Sequence, residues 1–118
     1  MPRLATLSKA AALACLAAIV VLSLVPGSER PHTGFSDFWE NFAAYFICAA
    51  LLAAKAPRWG RVMRIAAALC ACSVILETLQ NFIPGRVPDP ADVVSNGLGA
   101  LAGAVVATAI ATALKPRA

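Results

Sequence analysis

Residues 77–103 read ETLQNFIPGRVPDPADVVSNGLGALAG, and they join the end of one long apolar run to the start of the next. Three of the six acidic residues of the chain lie in this stretch, namely Glu77, Asp89 and Asp92. The apolar runs on either side consist mainly of Ala, Leu, Val, Ile and Cys. Polar groups at the ends of apolar helices cost free energy to desolvate unless they are paired or hydrated. The stretch therefore predicts either a structural polar cluster or a functional site.

The composition of the chain is typical of a membrane protein. Of its 118 residues, 60% are hydrophobic and 14% are charged, whereas a soluble domain carries about 25% charged residues. The mean hydropathy of +0.76 agrees with this assignment. The length allows a single domain over residues 1–118. The net charge of +4 does not indicate a nucleic-acid partner, because the basic residues are dispersed and flank the apolar runs.

Four apolar runs, separated by breaks that contain Pro and Gly, predict an all-α fold in the form of a four-helix transmembrane bundle. The first run also resembles a signal peptide, but it ends in Leu24-Val25-Pro26 rather than in a pattern of small residues suited to cleavage. We therefore expect this helix to be retained. The four helices are expected at about residues 9–26, 37–56, 62–81 and 90–114.

The basic and acidic residues are distributed asymmetrically about these helices. With four helices both termini lie on one side of the membrane, and the positive-inside rule makes that side cytoplasmic. We therefore predict a multi-pass protein of the cytoplasmic membrane with cytoplasmic N and C termini. Eight of the ten basic residues fall on the cytoplasmic side: Arg3, Lys9, Lys55, Arg58, Arg61, Arg64, Lys115 and Arg117. All six acidic residues fall at the outer ends: Glu29, Asp37, Glu40, Glu77, Asp89 and Asp92.

The second predicted helix carries a polar stripe at its outer end. Asp37, Asn41 and Tyr45 are spaced four residues apart, so they share one helix face. Asp37 and Glu40 also suit the first turn of a helix, where acids complement the dipole. Because the outer helix ends of a small bundle are close to one another, we expect this stripe to join Glu77 and its neighbours in a single outward-facing polar pocket.

Local structure explains some acids of residues 77–103 better than others. Asp89 followed by Pro90 is a good helix N-cap, so its position has a structural explanation beside a ligand-binding one. Glu77 lies in the last turn of the third predicted helix, where a negative charge opposes the helix dipole. Glu77 and Asp92 are therefore the candidate acid–base residues.

The fourth predicted helix has a face of polar and small residues. Asp92, Asn96, Gly99 and Gly103 are spaced four, three and four residues apart. Gly99 and Gly103 form a GxxxG pattern, which predicts close packing against another helix of the chain or against a second copy in a homodimer.

These residues resemble a known family, the VanZ-like small bacterial membrane proteins. The shared pattern is Glu77-x-x-Gln80, Pro84-Gly85-Arg86, Asp89-x-x-Asp92 and Asn96-x-x-Gly99 with Gly103. In a second and weaker family motif, Asp37 and Tyr45 match, whereas Phe38 replaces a Lys and Asn41 replaces a His. An amide cannot act as an acid or base, so any such role of that His is absent here.

The resemblance implies a bacterial inner-membrane protein of the cell envelope, since the family is named for an accessory protein linked to glycopeptide resistance. We expect the pocket to bind or act on an anionic envelope component, such as a lipid head group or a lipid-linked cell-wall precursor. Arg86 would hold the anion. Further ligand-binding candidates are Gln80, Asp89, Asn96, Asp37, Asn41 and Tyr45. No cofactor or metal site is expected, although a hard divalent cation would suit the acids.

The alternative is a non-enzymatic interaction module, in which the polar cluster only ties the helix ends together. No nucleophile motif, zinc motif or phosphate-binding glycine loop decides between the two. A small four-helix exporter is disfavoured, because such exporters resemble one another in a Glu within the first helix and this chain has no charge between Ala10 and Pro26.

Overall fold

The structure is a computed structural model that describes residues 2–25 and 37–114. The described residues form four α-helices and no strand, so the all-α, four-helix prediction is confirmed. Some residues used to predict the helix limits and the charge distribution lie outside this part of the chain, namely Pro26, Glu29, Arg30, Lys115 and Arg117. The helices are α1 (Pro2–Leu24), α2 (Asp37–Lys55), α3 (Trp59–Leu79), which continues into a 3-10 turn (Gln80–Phe82), and α4 (Pro90–Ala113).

Two helices begin earlier than predicted. α1 begins at Pro2 rather than near residue 9, because the prediction followed the apolar run, and the backbone stays helical beyond the limit of that run. Proline is well tolerated in the first turn of a helix. α3 begins at Trp59, so Gly60 lies inside its first turn and not in the break between helices. The break is confined to the residues before it, ending with the extended Arg58 (φ −138°, ψ 133°).

Hydrogen bonds show which helix ends meet. The Gln80 side-chain amide donates to the backbone carbonyl of Ser23 (3.0 Å), which brings the carboxyl ends of α1 and α3 together. The Ser95 hydroxyl donates to the carbonyl of Phe38 (2.5 Å), so α2 and α4 begin side by side. The chain therefore alternates in direction from helix to helix, and α2 and α4 run parallel.

The two ends of the bundle differ in charge. At one end, Arg61 donates to the carbonyls of Leu52 (3.2 Å) and Ala56 (2.6 Å). Leu52 lies in the last turn of α2 and Ala56 directly follows it, where carbonyls have no donor within the helix. We call this end the basic end, since Lys55, Arg58, Arg61 and Arg64 lie there. The opposite end is called the acidic end, and the described acids lie there: Asp37, Glu40, Glu77, Asp89 and Asp92.

Glycines allow α2 and α4 to pack closely. A Cβ atom added at Gly99 would overlap the carbonyl oxygen of Phe42 and lie 3.0 Å from its carbonyl carbon. A Cβ added at Gly103 would meet the backbone of Phe46 in the same way, with its carbonyl carbon at 2.9 Å. Together with the Ser95 hydrogen bond, these contacts advance by one helical turn at a time along both helices. Small residues at this spacing bring two helix backbones into direct contact.

The fully buried side chains of the bundle are small, and many large apolar side chains face outward. The largest fully buried side chains are Thr108, Cys48, Ser73 and Ser95. By contrast, large apolar residues in the middle of the helices are exposed, as shown by the 54% exposure of Ile47 in α2. Within the described residues, two helical segments are long and apolar enough to cross a membrane by length and composition, namely Trp59–Phe82 and Pro90–Ala113, and a shorter apolar helical segment spans Lys9–Leu24.

Candidate functional site

A cavity of about 920 Å³ lies at the acidic end, with contributions from all four helices. Part of its lining is apolar and includes Cys15, Ile19 and Leu22 of α1 together with Leu76 of α3; we call these residues the apolar wall. Seven of the nine residues that the sequence suggests for catalysis or ligand binding line the same cavity: Asn41, Tyr45, Glu77, Gln80, Arg86, Asp92 and Asn96.

The other two of these nine residues do not line the cavity. Asp37 is the exposed first residue of α2. Asp89 is exposed as well, and its Oδ1 accepts a hydrogen bond from the backbone N–H of Ala91 at 3.0 Å. It therefore caps α4, as the structural explanation of its position requires.

Two acids from different helices meet in the cavity. The carboxyl groups of Glu77 on α3 and Asp92 on α4 are close enough to interact with each other. Glu77 Oε2 also accepts the backbone N–H of Asp89 at 3.1 Å, which fixes its position near the start of α4. Two neighbouring carboxyl groups can share a proton or bind one cationic group. The described residues contain no group of three or more His, Cys, Asp or Glu side chains placed to hold a metal ion.

A buried amide lies deeper in the same cavity. The Asn96 Nδ2 atom donates to the Ser73 hydroxyl at 2.7 Å, and Tyr45 contacts the same hydroxyl from α2. Asn96 is 6% exposed and Ser73 is fully buried. The Asn96 Oδ1 atom has no hydrogen-bond partner among residues 2–25 and 37–114. A buried acceptor without a donor is costly, so this atom is suited to receive a hydrogen bond from a ligand.

Arg86 is engaged by the first helix. Its Nε atom donates to the carbonyl of Val25 at 2.9 Å, and its Nη2 atom donates to the carbonyl of Leu22. Both carbonyls belong to the end of α1, where a helix leaves acceptors without a donor. The sequence suggested a guanidinium group directed to an anion, but the structure uses two of its N–H groups to hold α1.

Sequence reasoning did not assign several cavity residues to the site. Ser73 lies four residues before Glu77 on the same face of α3, and this spacing could have identified it. Glu40 suits the first turn of α2, and the structure shows that it also lines the cavity. Ser23 and Leu22 contribute backbone carbonyls, which leave no signal in the sequence.

These features define a small all-helical protein with a polar cavity at one end of the bundle. The chain belongs to the VanZ/LLP1 family, since the sequence model of that family matches residues 5–111. The resemblance inferred from the motifs is thereby confirmed. No curated protein and no solved structure matches the chain.

Proposed function

We propose that the chain is a membrane-embedded binding protein that takes up an amphiphilic component of the bacterial cell envelope in the cavity at its acidic end. The observation that carries this proposal is the make-up of the cavity, whose lining combines the apolar wall with a polar cluster that includes Glu77, Asp92 and Asn96. An apolar chain would lie against the wall, and the polar head would contact the cluster.

Two features support the membrane location in this proposal. Large apolar side chains cover much of the outside of the bundle, while the fully buried side chains are small, as expected where lipid surrounds a helix bundle. The basic end holds Lys55, Arg58, Arg61 and Arg64, against Arg86 alone among the described residues at the acidic end, and the positive-inside rule makes the basic end cytoplasmic. The acidic end would then face outward, with both termini in the cytoplasm.

The arginine of the family motif, Arg86, does not by itself require the head group to be an anion. An anionic head group was expected to bind Arg86, but α1 engages two donors of this residue. The acid–base role suggested for Glu77 and Asp92 stays a prediction. Proton transfer requires a reacting group of the ligand within hydrogen-bond distance of one of these carboxyl groups.

The binding proposal can be tested with the two tryptophans of the chain, because Trp39 lines the cavity and Trp59 begins α3 at the other end. The Trp59→Phe and Trp39→Phe variants each keep one of them. In nanodiscs, an amphiphile with a brominated chain end should quench Trp39 in a saturable manner, and an unbrominated copy should reverse the quenching. Quenching of Trp59 should rise in proportion to the amphiphile concentration. Equal and unsaturable quenching of both would reject the proposal.

A pair of alanines on α1 supplies a matched control. Ala18 lines the cavity, whereas its neighbour Ala17 does not. In the background that keeps Trp39, Ala18→Phe should remove the saturable quenching because it fills the cavity, and Ala17→Phe should retain it.

A non-enzymatic structural role is the second candidate, and specific contacts favour it. The bonds from Gln80 and Arg86 to the end of α1 tie the helix ends together without any ligand. Under this alternative, the Ala18→Phe variant would keep the biological effect of the protein although its cavity is filled. The Arg86→Ala variant would lose both that effect and the stability of the fold. The two candidates therefore differ in which variant matters.

A further inference from the structure

We infer that the head group taken by the cavity is a protonated amine that carries N–H donors and is attached to an apolar chain. This inference rests on the proposed function, since it names the chemical class of ligand for the same cavity. It reverses the charge that the sequence alone suggested for the head group.

The first support is the balance of charged residues around the cavity. Three acids among the described residues line it, namely Glu40, Glu77 and Asp92, against the single basic residue Arg86. Two of the Arg86 donors are directed to the carbonyls of Val25 and Leu22. An anionic head group would meet an excess of carboxyl groups, whereas an ammonium group would be stabilised by them.

The second support is independent of the acids and comes from Asn96. Its NH₂ group is bonded to the hydroxyl of Ser73, which also lines the cavity, so the amide end of the side chain reaches this space. The other polar atom of the amide, Oδ1, is an acceptor that receives no hydrogen bond from the described residues. The Asn96 residue that carries it is only 6% exposed. A ligand N–H group would satisfy it.

These two supports make different demands on the head group. The carboxyl groups require only a positive charge, which a trimethylammonium group also has. Asn96 requires a hydrogen-bond donor, which a trimethylammonium group lacks. A head group with both properties is an ammonium group, and the apolar wall accounts for the chain attached to it.

Three probes with the same brominated dodecyl chain separate these demands: a primary amine, a trimethylammonium and a phosphate. Each is titrated into nanodiscs that contain the Trp59→Phe protein, and saturable quenching of Trp39 reports binding. We expect the amine to bind about tenfold more tightly than the phosphate, the effect of one charge-assisted hydrogen bond. The trimethylammonium probe should fall between them. Free ethanolamine should not displace the amine probe at matched concentration, because it lacks the chain.

Charge-matched variants locate the effect. Asp92→Asn should weaken amine binding about tenfold. Asp89→Asn removes the same charge outside the cavity and keeps a side chain able to cap α4, so it should change binding less than about twofold. Asn96→Leu should remove the advantage of the amine over the trimethylammonium probe. For each variant, the ratio of the affinities for two probes is compared with the same ratio for the protein with unaltered cavity residues. Differences between the probes in membrane partitioning cancel in this comparison.

The outcomes distinguish this inference from the proposed function. Saturable binding of all three probes with equal affinity, or tighter binding of the phosphate, would overturn the amine inference and leave the binding proposal in place. Failure of every probe to saturate would overturn both. The probe series on the protein with unaltered cavity residues decides the matter even where a variant fails to fold.

Discussion

The Asn96 amide donates to the Ser73 hydroxyl at 2.7 Å, and this bond joins α3 to α4 one turn of α3 below Glu77. Both side chains are buried, and Tyr45 of α2 meets the same hydroxyl. Three helices thus converge on one serine. The bond sets the separation of α3 and α4 one turn below the level at which the Glu77 and Asp92 carboxyl groups meet.

Removal of the serine hydroxyl should therefore destabilise the bundle. We expect Ser73→Ala to lower the free energy of unfolding by about 1–2 kcal/mol, because the Asn96 amide loses its acceptor in a buried position. The double variant Ser73→Ala with Asn96→Leu should recover part of this loss, since no polar group is then left without a partner. Reversible unfolding in detergent measures both, and additive effects of the two substitutions would contradict a direct bond.

The contact between α2 and α4 gives a second prediction. Gly99→Ala should lower the free energy of unfolding by about 1–3 kcal/mol, because the added methyl group overlaps the Phe42 backbone and the helices must separate. Gly97→Ala is the matched control on the same helix, where the nearest atom to the added Cβ is Cys70 Sγ at 3.6 Å. It should be neutral or stabilising by about 1 kcal/mol through helix propensity. Equal losses for both variants would argue against the close contact.

The spacing of residues along the helices allowed the four-helix fold to be predicted. It did not identify which helix packs against the glycines of α4. The stripe of Gly99 and Gly103 on one face of a helix indicates close packing, but it does not say whether the partner is α2 or a second copy. The structure supplies α2 through the backbone of Phe42 and Phe46. Backbone atoms carry no residue-type signal, so such a partner is invisible to pattern analysis.

The third prediction concerns the attachment of α1. We expect Arg86→Ala to lower the free energy of unfolding by about 1–3 kcal/mol, because the carbonyls of Val25 and Leu22 lose charge-assisted hydrogen bonds. Hydrogen exchange should also become faster at the end of α1 than in α4. Arg86→Lys should restore little, since one ammonium group cannot reproduce the two directed bonds of a guanidinium group. Unchanged exchange in α1 would show that these bonds do not hold the helix.

The assignment of Arg86 shows where sequence reasoning reached its limit. An arginine between two acidic motifs has an obvious ionic interpretation, and its nearest acids in sequence favour it. Two of the guanidinium N–H groups donate to main-chain acceptors that lie 61 and 64 residues away in the sequence. Helical periodicity aligns side chains, so seven of the nine suggested residues line one cavity, but periodicity does not identify hydrogen bonds to a distant helix end.

The fourth prediction tests the orientation in the membrane. A chain without its four native cysteines would carry a single new one, either Val87→Cys at the acidic end or Gly60→Cys at the basic end. Val87 is 87% exposed, and a Cβ at Gly60 meets nothing within 4 Å, so neither substitution should disturb packing. If the acidic end faces outward, a membrane-impermeant maleimide should label Val87→Cys in intact spheroplasts, and Gly60→Cys only after lysis. The reverse pattern would place the cavity on the cytoplasmic side, and labelling of both before lysis would exclude a bundle that separates the two ends by a membrane.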